Sequence, residues 1–101
     1  MAKRTQPGLI DEVIHQRTRL AIMATLAGVA GLEFNEIKAE LGLTDGNLSA
    51  HAASLERAGY VRIVKDFKGR VPRTTLAITA KGRKALRRYV ESLQAILDKA
   101  R

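Results

Sequence analysis

Between Lys68 and Arg73 the chain carries three cations in six residues, Lys68, Arg70 and Arg73, interrupted by Gly69 and Pro72. On a turn, such side chains suit a polyanion: Arg can enter a narrow minor groove, while Lys and Arg neutralise phosphates. A second group lies upstream, at Thr44, Asp45, Gly46, Asn47, Ser49 and His51. Asn47 has the amide geometry for a bidentate pair with an adenine edge, and Asp45 could accept from a cytosine amine. Thr44 is first a helix cap and could also reach a phosphate; Gly46 would let a backbone approach a ligand closely. Each also has an ordinary reading: an exposed Asn in a first turn, a Gly in a crowded turn. For Asp45 the ordinary one, complementing the helix macrodipole, is preferred. For His51 the ordinary reading is a half-buried histidine bonded across to the first helix.

These residues do not make an enzyme. Ser49, His51 and Asp45 fall within a turn or two of one helix and cannot line up as nucleophile, base and orienter. No glycine-rich phosphate loop accompanies them. Asp11 and His15 sit one turn apart, without the cysteine or second clustered histidine that a metal site needs. Cysteine is absent altogether, which excludes disulfides, thiolate metal sites and thiol redox sensing. The expectation is no catalysis, no metal and no cofactor.

The elements that must position these groups follow from periodicity. Leu9, Ile10, Val13 and Ile14 recur at helical spacing and predict a short first helix. A second is expected from about Thr18 to Gly28, and Leu32–Phe34 read as an extended link. Asn35 is expected to cap the next helix, which carries Ile37 and Leu41 inward and stops at Gly42. Thr44 caps another, with Leu48, Ala52 and Leu55 inward and Gly59 closing it. Two short helices joined by Gly42-Leu43-Thr44 have helix-turn-helix spacing, over Asn35 to Ala58. The period then changes to alternation at Tyr60–Phe67 and Thr74–Ile78, predicting a hairpin with a long basic tip from Lys68 to Arg73. Thr79 caps a last helix, with Leu86, Tyr89, Val90, Leu93, Ile96 and Leu97 repeating at three and four.

The recognition segment and hairpin together resemble winged-helix regulators. Leu43-Thr44-Asp45-Gly46-Asn47-Leu48-Ser49, His51, Leu55-Glu56 and Ala58-Gly59-Tyr60-Val61 look like that family's recognition helix. Phe67, Gly69-Arg70, Pro72-Arg73-Thr74-Thr75 and Ile78-Thr79 with Gly82 look like its wing. The resemblance covers about Leu9 to Leu97 and lies near the MarR and ArsR groups. It implies dimeric repressors or activators that place one recognition helix per subunit in successive major grooves. One departure is Ala50 and Ala53, where many relatives carry Arg or Lys.

Composition agrees with this reading. At 101 residues there is room for one core, and 4% aromatics against 46% hydrophobics calls for Leu, Ile, Val and Ala in packed helices. Eighteen Lys and Arg against ten Asp and Glu leave a formal charge of +8, which favours a polyanionic partner. From Asp45 to Ala58 the only cation is Arg57, so affinity is expected from the wing (Lys65, Lys68, Arg70, Arg73), from Lys3 and Arg4, and from Arg17 and Arg19. The expected fold is α+β, mainly α: a flexible basic tail over 1–8 and one winged-helix domain over 9–101. Leu9, Ile10 and Val13 with Leu86, Val90, Leu93 and Leu97 are expected to form a dimer interface between terminal helices. The expected partners are double-stranded DNA and a second copy, with no membrane and an unspecified effector, in the cytoplasm at the nucleoid. A non-specific architectural DNA-binding protein is the alternative.

Overall fold

In a computed structural model of the chain, which describes residues 6–101, helix starts are set by side chains that accept first-turn amides. Gln16 accepts from the Arg19 amide at 2.7 Å and opens α1, Arg17–Ala27. The next helix, α2, is Phe34–Leu41 and stops at Gly42, whose φ of 65° is left-handed. Thr44 accepts from Asn47 at 3.1 Å and opens α3, Asp45–Arg57. Thr79 accepts from Gly82 at 2.9 Å and opens α4, Ala80–Asp98. Asn35, expected as the cap of α2, lies inside it instead. Glu36 reaches back to accept from the Glu33 amide at 3.0 Å, the reciprocal bond of a capping box, so the cap is Glu33 and the helix begins two residues earlier.

The expected first helix does not form. Pro7–Leu9 make a single 3-10 turn, and the chain then crosses the body as an irregular strap to Gln16. Asp11 opens one turn only: its Oδ1 accepts from the amides of Val13 and Ile14 at 2.9 and 3.2 Å, as an N-cap does, and its carbonyl accepts from the His15 amide at 2.8 Å before the chain straightens. Its Oδ2 accepts from the Tyr60 hydroxyl. Further along, His15 Nδ1 meets the Tyr89 hydroxyl at 2.9 Å, and Arg19 Nε donates to the Val13 carbonyl. Between these pins Ile14 is fully buried. Lys3 and Arg4, expected in a basic tail, lie outside the described residues.

Three antiparallel strands complete the fold: β1 (Leu32–Glu33), β2 (Val61–Lys68) and β3 (Val71–Ile78), in the order β1-β3-β2. β2 and β3 stay in register from Val61↔Ile78 to Lys68↔Val71. The long tip expected between Lys68 and Arg73 is therefore a two-residue turn, Gly69-Arg70. Gly69 supplies the positive φ of 65° that such a turn needs at its first central position. Pro72 is tolerated within β3 because β1 pairs only with Thr75 and Leu76, leaving the outer half of β3 without a neighbour on that side.

The core is aliphatic, as the composition demands: Ile14, Ile22, Met23, Leu26, Ile37, Leu48, Leu55 and Leu76 are fully buried, and Tyr89 joins them from α4. One junction ties the hairpin root to both flanking helices. The Thr79 amide donates to the Tyr60 carbonyl at 3.0 Å, and the Thr79 hydroxyl donates to the Gly59 carbonyl at 2.6 Å. Gly82 packs directly under Tyr60, where a Cβ would fall 2.1 Å from the Tyr60 oxygen. The clash is with backbone, so it cannot be relieved by a side-chain rotation. Gly82→Ala should cost about 3 kcal/mol and lower Tm by roughly 12 °C or more. Gly28→Ala, built into open space, should leave Tm nearly unchanged; thermal unfolding followed by circular dichroism reads both.

Candidate nucleic-acid interface

At 100° per residue, Leu48, Ala52 and Leu55 set the buried side of α3, and the opposite side is fixed by geometry. Gly46, Ala50 and Arg57 point most directly outward, with Asn47 and Ser54 on one flank and Ser49 and Ala53 on the other. Gly46, Asn47, Ser49 and Ala50 are all exposed. The outward face is thus small side chains near the helix start and a single guanidinium at its end. Such a face lets the helix backbone come close to a surface and offers methyl groups and one amide rather than charge. Ala50 and Ala53, noticed in the sequence only as missing cations, are part of that face.

Each flank is occupied. On the wing side, Ser49, Ala52, Ala53 and Glu56 line a groove of about 570 Å³ with Phe34, Ile63, Lys65, Thr74 and Leu76. On the other side His51 turns to α1, where its Nδ1 lies 3.3 Å from Arg19 Nη1. A guanidinium can only donate, so Nδ1 accepts and the ring proton sits on Nε2. Burial, and then the neighbouring Arg19 charge, hold the His51 pKa below its usual value.

Several charges expected to face a ligand are engaged with one another. Lys38 Nζ on α2 holds Asp45 Oδ1 at 2.6 Å, so α3 opens with a paired carboxylate. Arg73 clamps Asp66 through Nε and Nη2, both at 2.9 Å. That bond holds the Asp66 carboxyl below its usual range and raises the Arg73 pKa. Arg73 therefore braces the middle of the arm. Lys68 and Arg70 are exposed at its end, and no salt bridge among the described residues engages either. On α4, Arg83 donates to the Ala27 carbonyl at 2.6 Å and Lys81 stacks 5.8 Å over the Tyr60 ring.

Asp11 and His15, weighed as metal ligands, are both held by tyrosines, and no metal-ligating cluster occurs among the described residues. The Asp11 bond, with burial and the Asp11 charge behind it, pushes the Tyr60 pKa up to about 12. The expected dimer residues divide. Ile10, Val13, Leu86 and Leu93 pack partly against the core, whereas Leu9, Val90 and Leu97 stay 42%, 53% and 49% exposed. No helix among the described residues is long and apolar enough to cross a membrane.

This arrangement, two short helices at a glycine turn followed by a paired arm and a long helix, is matched over residues 18–97 by the family of winged helix DNA-binding domains. The chain belongs to that family. It is 42% identical over 80 residues to an uncharacterised protein of Methanocaldococcus jannaschii, covering 78% of this chain and 86% of that protein. A transcriptional regulator homologue from Pyrococcus horikoshii superposes with a TM-score of 0.84 at 36% identity, over 89% of each chain. The PcaV transcriptional regulator of Streptomyces coelicolor, solved with its natural ligand, shares the fold at a TM-score of 0.73 and 21% identity. That match covers 92% of this chain and 64% of PcaV. The winged-helix resemblance drawn from the motifs holds.

Two outcomes follow from the site geometry. Gly46 sits in α3 at ordinary dihedrals with nothing near its missing Cβ. Gly46→Ala should therefore stabilise the fold by ~0.5 kcal/mol while weakening duplex binding in a mobility-shift titration. A stabilised variant of unchanged affinity would show that α3 keeps its distance from DNA. The lowered His51 pKa means the unfolded chain takes up its proton first. The contribution of His51 to stability is complete above the unfolded value of ~6.5 and falls as pH drops below it. Between pH 7.5 and 5, Tm should decline less steeply in His51→Gln than in the parent.

Proposed function

We propose that this chain is a homodimeric transcriptional regulator that binds duplex DNA sequence-specifically, with α3 in the major groove and the β2–β3 arm at the minor groove. The observation that carries the reading is the outward face of α3. Gly46, Asn47, Ser49 and Ala50 are exposed together at the helix start, while the side chains of Asp45, His51 and Arg73 are engaged by protein. A face so low in charge contributes discrimination through fit, an Asn47 pair with adenine and an alanine methyl against thymine. Phosphate attraction comes from Lys68 and Arg70. Thr44 keeps its cap and presents the α3 amides, and Ser49 contacts the backbone at the groove edge. His51 retains an Nε2 proton for a phosphate, whereas Asp45 and Arg73 serve mainly to hold the α2–α3 corner and the arm.

Dimerisation is supported by the apolar residues that the fold leaves outside: Val90 and Leu97 on α4, with Leu9 at the end of the 3-10 turn. Ile10, Val13, Leu86 and Leu93 lie at the base of that seam. A two-fold axis there would set two α3 helices about 34 Å apart, one turn of duplex. The regulator would act in the cytoplasm at the nucleoid. The architectural alternative draws on the same shortage of cations on α3 and is separated from the specific reading by experiment.

Selection of bound sites from random duplexes, at two salt concentrations, tests the proposal. It should return two related half-sites one helical turn apart. Asn47→Ala should bind with similar salt dependence and lose preference at one position of each half-site. Arg70→Ala should weaken all sequences alike and lower the slope of log K against log salt by about 1 per subunit. Equal recovery of all sequences at physiological salt would instead establish the architectural mode.

A further inference from the structure

Among the described residues the two most exposed large apolar side chains are Phe67, at 67%, and Val71, at 66%. Both flank the Gly69-Arg70 turn. Every β2 residue from Val64 outward is exposed, so nothing in the body of the protein covers this end. The chain has only two phenylalanines, and the other, Phe34, packs against the core. Phe67 therefore contributes little to folding where it stands. Leaving most of an aromatic ring in water forgoes the free energy its burial would give.

Its position has a direction. Phe67 lies across from Pro72, two registers beyond Lys65↔Thr74 and four beyond Ile63↔Leu76. Strand alternation places all of them on one face of the arm. That face lines the groove beside Ser49 and Ala53 of α3, so the Phe67–Pro72 pair sits at the outer lip of the surface that faces duplex DNA. Lys68, on the opposite face of the arm, and Arg70, in the turn, lie just beyond it toward the tip. A second copy brought to this end would carry the same cations, on a chain of net charge +8. A polyanion with an apolar interior fits better, and the minor groove between base steps is one.

We propose that Phe67, backed by Pro72, is a minor-groove wedge. The inference rests on the duplex-binding reading above. The ring enters a base step beside each half-site and partly unstacks it, while Lys68 and Arg70 hold the flanking phosphates. Pro72 fixes the backbone φ of the strand across from the ring. Such a wedge adds sequence preference without a hydrogen bond, because pyrimidine–purine steps open most easily. It adds no charge, so it leaves the salt dependence of binding unchanged.

The chain has no tryptophan, so Phe67→Trp installs a single reporter at the wedge. On titration with selected duplex, its emission should be quenched severalfold by stacking, and its accessibility to acrylamide should fall. Phe67→Ala should bind about tenfold more weakly with an unchanged salt slope. It should also lose the fluorescence rise of a 2-aminopurine placed at the wedged step. A tryptophan that stays as accessible on bound duplex as in free protein would overturn the wedge and leave duplex binding intact. Protection that grows with protein concentration in the absence of DNA would also overturn it, in favour of a second copy. Failure of the unmodified protein to shift any duplex at low salt would remove both the wedge and the reading beneath it.

Discussion

The geometry of this protein depends on a knot of main-chain contacts at the root of the arm. Tyr60 leaves α3 and enters β2, and its carbonyl accepts from the Thr79 amide where β3 turns into α4. Thr79 at the same time donates its hydroxyl to Gly59 and accepts from Gly82. Gly59 has φ 82° and Gly82 lies against the Tyr60 carbonyl. A side chain at Gly82 would push α4 off the Tyr60 carbonyl, and one at Gly59 would strain its left-handed backbone. Because α3, the arm and α4 all meet here, their mutual angles are fixed by short-range contacts rather than by distant packing. The Asp11–Tyr60 bond and the Lys81–Tyr60 stack then attach the strap and the first turn of α4 to the same point.

Charge plays a second organising part. The excess of cations visible in the composition does not translate into a uniformly basic surface. Arg83 closes the end of α1, Arg19 joins the strap to His51, Lys38 steadies the start of α3 and Arg73 braces the arm. Exposed pairs of this kind each contribute little to stability, but each fixes the direction of a segment. The charge left outward at the arm's end is correspondingly local, at Lys68 and Arg70, and the recognition face is left nearly neutral.

What could be read in the sequence was what is decided locally. Gly42, Thr44, Gly59 and Thr79 announce helix ends because caps and left-handed turns act over three or four residues. The change of period at Tyr60 announces the strands for the same reason. The strap was not legible: its apolar spacing is helical, and the bonds that override helix run to Tyr60 and Tyr89, distant in the chain. The start of α2 was mistaken because two glutamates can cap as well as one asparagine. The arm's turn was drawn too long because Pro72 reads as a loop residue unless β1 is known to stop short. Within the interface, the outward residues of α3 followed from counting, whereas the partners of Asp45, His51 and Arg73 come from other elements and carry no local signal.

The shortness of β1 has one more consequence. Toward the tip from Thr75, β3 has no strand on its β1 side, and β2 is an edge along its whole length. Unpaired edges invite strand addition between molecules and, eventually, fibrous aggregation. Here β3 carries Pro72 without an amide to offer, and β2 presents Arg62, Lys65, Asp66 and Lys68. On an arm that projects from the body for access, both features discourage another chain from using the edge as a template.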